Sequence, residues 1–390
     1  MGFVVISKSF YYLLNMNKNI KNRFCLPTSL GQKILPLLLG TFMSNCQAEK
    51  EIVNLSFTRS DASEIVKLKG EVIGVHLDSL TLPLCYHIFK DSLILVENIK
   101  ANPYFLNIYS LNTKKIVKKI VRLGESPTEF LSVRLLNRNP NSTTINIFDV
   151  SAKSVGFVSI DEKGEFQVKN KIDLPQNTGD IILLDANNLL GFNDSYIETE
   201  KFSNKIPPLF YLSTDKTKSR EQIQKIDSQQ FAFFSSNVSA AQLAFSKKNN
   251  CIWLIDKHKD EIQIFDTNLK LKKIVKGPDF IEPEIIQNED KSLGFNKHID
   301  YDSYYSCAYN EQYVYLLYLG IVGTYGIKGE GFYYKPSEIF KFSWDGKLQK
   351  IYTLDRFLYN ITIDKAGKNI YGTTSIDFGE KVELIKYHLK

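Results

Sequence analysis

The chain has 390 residues, of which 43% are hydrophobic and 13% aromatic, with 21 Tyr and 26 Phe against 3 Met. That composition favours strands and a sizeable core, and it excludes a disordered chain. The formal charge is +6, but Lys8, Lys18, Lys21, Arg23 and Lys33 fall in residues 1–45 with no Asp or Glu, which leaves 44 basic against 43 acidic residues. Phosphate-driven binding of nucleic acid is therefore excluded for the remainder.

Taken in order, the chain opens with a leader. Residues 34–43 form an apolar run, preceded by basic residues and followed by Ser44, Asn45 and Cys46. The run is too short to span a bilayer as a helix and has the length of a signal-peptide core. The pattern resembles a lipoprotein signal, in which Cys46 becomes the acylated first residue. Met43 and Asn45 depart from the usual residues, in the relaxed way met in Bacteroidetes-like lipoproteins. Residues 1–45 are then the signal peptide, with Met16 as an alternative start, and acyl chains on Cys46 give a membrane anchor. Residues 46–63, opening on Gln47-Ala48-Glu49-Lys50-Glu51, read as the lipidated cysteine and a polar tether.

From residue 64 onward a diverged repeat appears: an apolar strand, a polar gap, and a second alternating strand that ends in Asp or Asn. The best copies are residues 144–166 and 251–270. Weaker copies lie at 92–112, 188–215, 313–346 and 368–389. Period-2 alternation and the Asp-Gly and Asn-Thr-Lys steps mark strands and hairpin turns. Six such units without a helical layer predict an all-β fold, a six-bladed β-propeller over residues 64–390, rather than a pair of two-sheet sandwiches. The last unit has three strands, so residues 64–75 are expected to supply its fourth and close the ring. Residues 281–293 are expected to form one short surface helix.

Two stretches then resemble a known family. Leu123-Gly124-Glu125-Ser126-Pro127-Thr128-Glu129-Phe130 resembles a Gly-x-Gly-Pro-x-Glu-Phe signature between early blades, with Ser126 in place of the second Gly. Ile339–Leu348 with Tyr352–Asp355, and Ile363–Tyr371, resemble its last two blades. The family is the TolB-like six-bladed propeller lipoproteins of Bacteroides and relatives. The resemblance implies a fold and carries no catalytic residues.

Candidate chemistry is sparse. The cysteines Cys25, Cys46, Cys85, Cys251 and Cys307 form no CxxC pair, which speaks against a zinc site. Buried free thiols are favoured over a Cys85–Cys251 or Cys251–Cys307 bridge. The five histidines show no ligand spacing, and no GxSxG or Walker motif is present. Glu129 is read as a turn cap rather than as half of a carboxylate pair with Glu125. Glu97, Asp149, Asn193 and Asp256 end strands in four units. They would form a calcium ring if those ends lined one mouth, and otherwise only terminate strands. Residues 320–336 interleave five glycines with Tyr325, Phe332, Tyr333 and Tyr334, a pattern suited to stacking on sugars or peptides. The expected function is an outer-membrane lipoprotein with a binding or scaffold propeller for a glycan, peptide or partner protein. The alternative is a metal-assisted hydrolase or lyase at the central channel.

Overall fold

A computed structural model describes residues 52–73, 88–89, 92–96, 103–136, 144–160, 166–175, 178–184, 188–194, 207–213, 240–289, 293–295, 300–323, 336–375 and 382–389. Three short strands come first: β1 (Val53–Ser56), β2 (Glu64–Leu68) and β3 (Glu71–Val72). The first blade holds β4 (Ile88–Phe89), β5 (Ser92–Val96), β6 (Tyr104–Ser110) and β7 (Lys115–Arg122). The second holds β8 (Arg134–Leu135), β9 (Thr144–Asp149), β10 (Ser154–Ile160) and β11 (Phe166–Asp173). The third holds β12 (Thr178–Leu183), β13 (Asn188–Asn193) and β14 (Leu209–Ser213). The fourth holds β15 (Ala241–Ser246), β16 (Cys251–Asp256), β17 (Glu261–Phe265) and β18 (Leu271–Lys276). After the hairpin β19 (Ile285–Gln287) and β20 (Leu293–Phe295), the fifth blade holds β21 (Asp300–Tyr309), β22 (Tyr313–Gly323), β23 (Glu338–Ser343) and β24 (Leu348–Leu354). The sixth holds β25 (Asn360–Ile363), β26 (Asn369–Ser375) and β27 (Val382–His388). The architecture is a six-bladed β-propeller.

Alternation along each middle strand has a direct cause. A blade is sandwiched between two others, so successive side chains enter opposite seams. In β16, Trp253 and Ile255 enter the seam with blade five, while Ile252 and Leu254 enter the seam with blade three. In β22, Val314, Leu316 and Tyr318 face blade four, and Tyr315, Leu317 and Leu319 face blade six. Further apolar clusters fill the seams between blades one and two, between two and three, and between six and one. The last of these packs Tyr371, Val382 and Leu384 against Leu93 and Tyr109, which closes the ring.

The N-terminal segment is more involved than a tether and a single closing strand. β1 pairs in parallel with β18, adding a fifth strand to blade four. β2 pairs in parallel with β24 and does the same for blade five. Only β3 pairs with β27, as the fourth strand of blade six. The expected closing strand over 64–75 is thus split between two blades. Gly70 makes the step between them: a Cβ there would lie 2.4 Å from Cγ2 of Ile385 and 2.9 Å from the Tyr387 ring. The tether reading fails for residues 53–57, because their backbone pairs with β18 and Phe57 is buried. The Phe57 ring lies 5.3 Å from Phe342 and 5.9 Å from Phe340, edge to face. Twenty residues, Val53 to Val72, carry the chain over the rims of three consecutive blades, as a belt.

The short helix expected at 281–293 does not form among the described residues of that range, which run into strands β19 and β20. Ile285, Leu293 and Phe295 gather as a small cluster on the β19–β20 hairpin, in a register that pairs Ile285 with Phe295 and Gln287 with Leu293. Branched Ile285 and Ile286, close behind Pro283, suit a pleated ribbon better than a helix. Cys251 and Cys307 are buried free thiols. Burial holds the Cys251 thiol up at about 11.

A tether would tolerate loss of its side chains, whereas a belt would not. Phe57→Ala is expected to cost about 3 kcal/mol, within the range for buried Phe truncations, measured by denaturant unfolding. A change below about 0.5 kcal/mol, the usual size for exposed positions, would return residues 53–57 to the tether reading.

Candidate functional site

The central channel is bounded by the first strands of the blades, and β12, β15, β21 and β25 adjoin in sequence around it. Polar side chains stitch them together. Arg134 Nη1 donates to Gly179 O at 2.8 Å, linking blades two and three. Asp180 accepts from Leu243 N at 2.9 Å, linking three and four. Gln242 Nε2 donates to Tyr304 O and Tyr305 O at 3.2 and 2.7 Å, and its Oε1 accepts from Cys307 N at 2.9 Å. Ser306 Oγ accepts from Ile361 N at 3.2 Å, linking five and six. Such bonds satisfy buried backbone groups that no neighbouring strand reaches.

Asp149, Asn193 and Asp256 end the second strands of three blades, one strand away from the channel-bounding position. Asp149 is committed to a turn: it accepts from Leu131 N at 2.8 Å, Ser132 N at 3.1 Å, Ser132 Oγ at 3.0 Å and Ala152 N at 3.0 Å. Asp256 accepts from His258 N at 2.8 Å and Lys259 N at 3.1 Å. Burial raises its carboxyl, against the pull of Lys259 and His258. Asn193 is buried at the end of β13. Among the described residues no group of His, Cys, Asp and Glu could hold a metal ion. Glu97 lies outside the described residues, as do Cys46, Tyr325, Phe332, Tyr333 and Tyr334. Glu129 caps its loop: Ser126 N donates to Glu129 Oε2 at 3.2 Å, and Glu129 N donates to Ser126 O at 2.9 Å.

Two polar groupings meet at the seam of blades four and five. One is a clamp on the belt. Arg59, in the 3₁₀ turn Arg59–Asp61 between β1 and β2, forks onto Asp279, with Nη1–Oδ1 2.5 Å and Nη2–Oδ2 3.1 Å. Its Nε donates to Glu338 at 2.9 Å. The hydrogen bond to Asp279 and the charge of Glu338, against partial desolvation, hold the guanidinium above even its ordinary high pKa. Tyr318 OH lies 2.9 Å from Asp260 and 3.0 Å from Asp279. Burial, and then those two carboxylates, push its hydroxyl well above the tyrosine range. Ser303 donates to Asp260, and Asp279 N donates to Asp260 at 2.8 Å. These groups satisfy one another, so the clamp is structural.

The second grouping sits where the chain leaves β16. The His258 ring lies 4.7 Å from Phe295, edge to face. Lys257 Nζ sits 4.9 Å from the Tyr305 ring centroid, within cation–π reach. Asp302, on β21, has its carboxyl raised by burial, against the pull of His258 and Lys257. A raised carboxyl beside a histidine, a cation and two aromatic rings is the kind of place where ligands bind. The innermost hairpin of blade five, β21 with β22, outgrows β23: its ladder runs past Tyr304–Tyr318 to Asp300–Gly323, and it carries residues 324–335. Asp302 lies in that extension. His258 has no ligand spacing in the sequence, and Asp302 stands in no motif. A seam contact has no sequence signature.

The chain is a six-bladed propeller in which polar side chains stitch blades two to six together. It belongs to the TolB-like 6-blade propeller-like family, whose model matches residues 62–366. Among solved structures it is similar to an exported-protein candidate from Bacteroides fragilis, with 12% identity and TM-score 0.50, covering 87% of this chain and all of that one. It is also similar to a member of the DUF4221 family from Bacteroides vulgatus, with 9% identity and TM-score 0.50, covering 83% of this chain and 96% of that one. At such identities the likeness is one of fold. No curated protein sequence matches the chain.

Two outcomes check these assignments. Asp149→Ala orphans three backbone donors, so it should destabilise the protein by about 2–3 kcal/mol, the cost of unsatisfied buried groups. The loss should be equal in calcium and in EDTA, read by thermal melting; a calcium-dependent difference would make Asp149 a ligand. At Asp302 the folded carboxyl pKa lies above the unfolded value, so the protonated form favours folding and the ionised form opposes it. Asp302→Asn should therefore melt higher than the parent at pH 7.5, and the gain should vanish below the ordinary Asp value of about 3.9. An unchanged melting temperature at pH 7.5 would mean that the carboxylate is well solvated.

Proposed function

We propose that this chain is a lipoprotein of the Gram-negative cell envelope, acylated at Cys46 and held in the outer membrane, whose propeller is a binding module for a glycan, a peptide or an envelope partner. One observation carries the binding reading: the inner hairpin of blade five outgrows its blade, with Lys257–Tyr305 and His258–Phe295 packed beside its base. That hairpin leads into residues 324–335, which hold Tyr325, Phe332, Tyr333 and Tyr334 together with Gly326, Gly329 and Gly331. Aromatic side chains in a glycine-rich segment suit a sugar ring or an extended peptide. The commitment of Asp149 to its turn removes one member of the calcium ring, which weighs against metal-assisted hydrolysis. The leader and the exported-class neighbour from Bacteroides fragilis support an envelope location.

A panel of host and bacterial polysaccharides, followed by thermal melting of the acylated protein in detergent, tests the reading. A ligand at about one hundred times its Kd stabilises by about 2.7 kcal/mol. One glycan should raise the melting temperature, and the double substitution Tyr333→Ala, Tyr334→Ala should abolish the rise. A rise that survives that substitution would place the binding face elsewhere.

A further inference from the structure

The belt changes what an anchor at Cys46 would do. If residues 46–63 were all tether, the propeller could swing freely above the bilayer. Instead the paired body begins at Val53, and Phe57 is buried between blades four and five. Only residues 47–52 separate Cys46 from β1. Seven extended steps, from Cys46 to Val53, reach at most about 25 Å. A domain of roughly 340 residues has a radius of gyration near 20 Å, so its diameter far exceeds that reach. An acylated Cys46 must hold the rim of blade four, where β1 is the edge strand, close to the membrane surface.

That rim has the surface for it. Of the ten large hydrophobic side chains left exposed among the described residues, five lie on the belt: Ile52, Val53, Leu55, Ile65 and Val72. Val53 and Leu55 pair with Lys273 and Val275 and share their face of the sheet. Beside them, residues 270–276 hold Lys270, Lys272, Lys273 and Lys276 and no carboxylate. Lys272 pairs with Asp266 at 2.8 Å, Lys276 with Glu261 at 3.3 Å, and Lys273 Nζ donates to Asp345 O at 2.7 Å, which holds these cations along the same edge as the aliphatic side chains. Exposed aliphatic side chains beside lysines suit the interface of a bilayer that contains anionic lipid.

We propose that the outer rim of blades four and five docks directly on the lipid surface, with Val53 and Leu55 at the headgroup–acyl boundary and the ring standing edge-on to the membrane. This rests on the proposed acylation of Cys46. Docking would leave blade one, three positions round the ring, facing away from the bilayer.

The test uses the full chain, exported and processed in a Gram-negative host and reconstituted in phosphatidylethanolamine–phosphatidylglycerol vesicles. A nitroxide is attached, in a Cys85→Ser background, through Val53→Cys in one sample and through Lys115→Cys, on exposed β7 of blade one, in another; Cys251 and Cys307 are buried. Collision with a water-soluble nickel chelate should be several-fold weaker at 53 than at 115, and collision with oxygen stronger. The mass of the N-terminal peptide reports the acyl chains separately. Acylated protein with equal nickel access at both positions would overturn rim docking and leave the anchor standing. A peptide without lipid would overturn the anchor, and rim docking with it.

Discussion

Every blade but an isolated one has two faces to bury, and that constraint shapes the rest of the molecule. A sheet sandwiched between two others needs apolar side chains on both sides of its middle strands, as in Cys251–Ile255 and Val314–Leu319. The same constraint leaves the outermost strand of each blade as the one element with an open edge. Blades four, five and six have theirs covered by β1, β2 and β3, drawn from one stretch of about twenty residues. Ring closure is thereby spread over three blades. The seam between blades four and five gains most, because Phe57 enters its apolar core and Arg59 ties Asp279 to Glu338.

That seam also concentrates the aromatic packing. Trp253 meets Phe342 and Trp344 edge to face at 5.8 and 6.0 Å, and its Nε1 donates to Trp344 O at 3.2 Å. Trp344 Nε1 donates in turn to Asn310 O at 3.0 Å. Gly346, at φ +90°, lets the Asp345-Gly346 turn of blade five press on Ile264 and Val275 of blade four. A rigid seam of this kind is a sound base for the long inner hairpin of blade five, which rises from it with Asp302 in its extension.

Much of the fold was legible because period-2 alternation marks the second and third strands of all six blades, and Asp or Asn follows those strands in most of them. The residues that read as repeats are β5 with β6, β9 with β10, β13 with β14, β16 with β17, β22 with β23, and β26 with β27. The belt was harder to see. Val53-Asn54-Leu55-Ser56 is four residues long, flanked by charge, and exposed on its outer edge, so its local pattern resembles a linker; only pairing with β18 makes it a strand. Residues 281–293 read as a short surface helix in isolation, whereas the cross-strand pairing of Ile285 with Phe295 makes a hairpin. The polar stitches Asp180, Gln242 and Ser306 carry no motif. Asp149 and Asp256 were legible as strand ends, and their carboxylates are occupied by the turns they begin.

The account turns on the belt being part of the propeller. Native-state hydrogen exchange of the amides in residues 53–57 and 64–68 tests this most directly. If the belt is integral, these amides exchange only through the large openings that also expose β18 and β24, with comparable protection. If they exchange orders of magnitude faster than those two strands, the segment is a tether resting on the rim, and both the clamp at Arg59 and the short reach to the membrane fall with it.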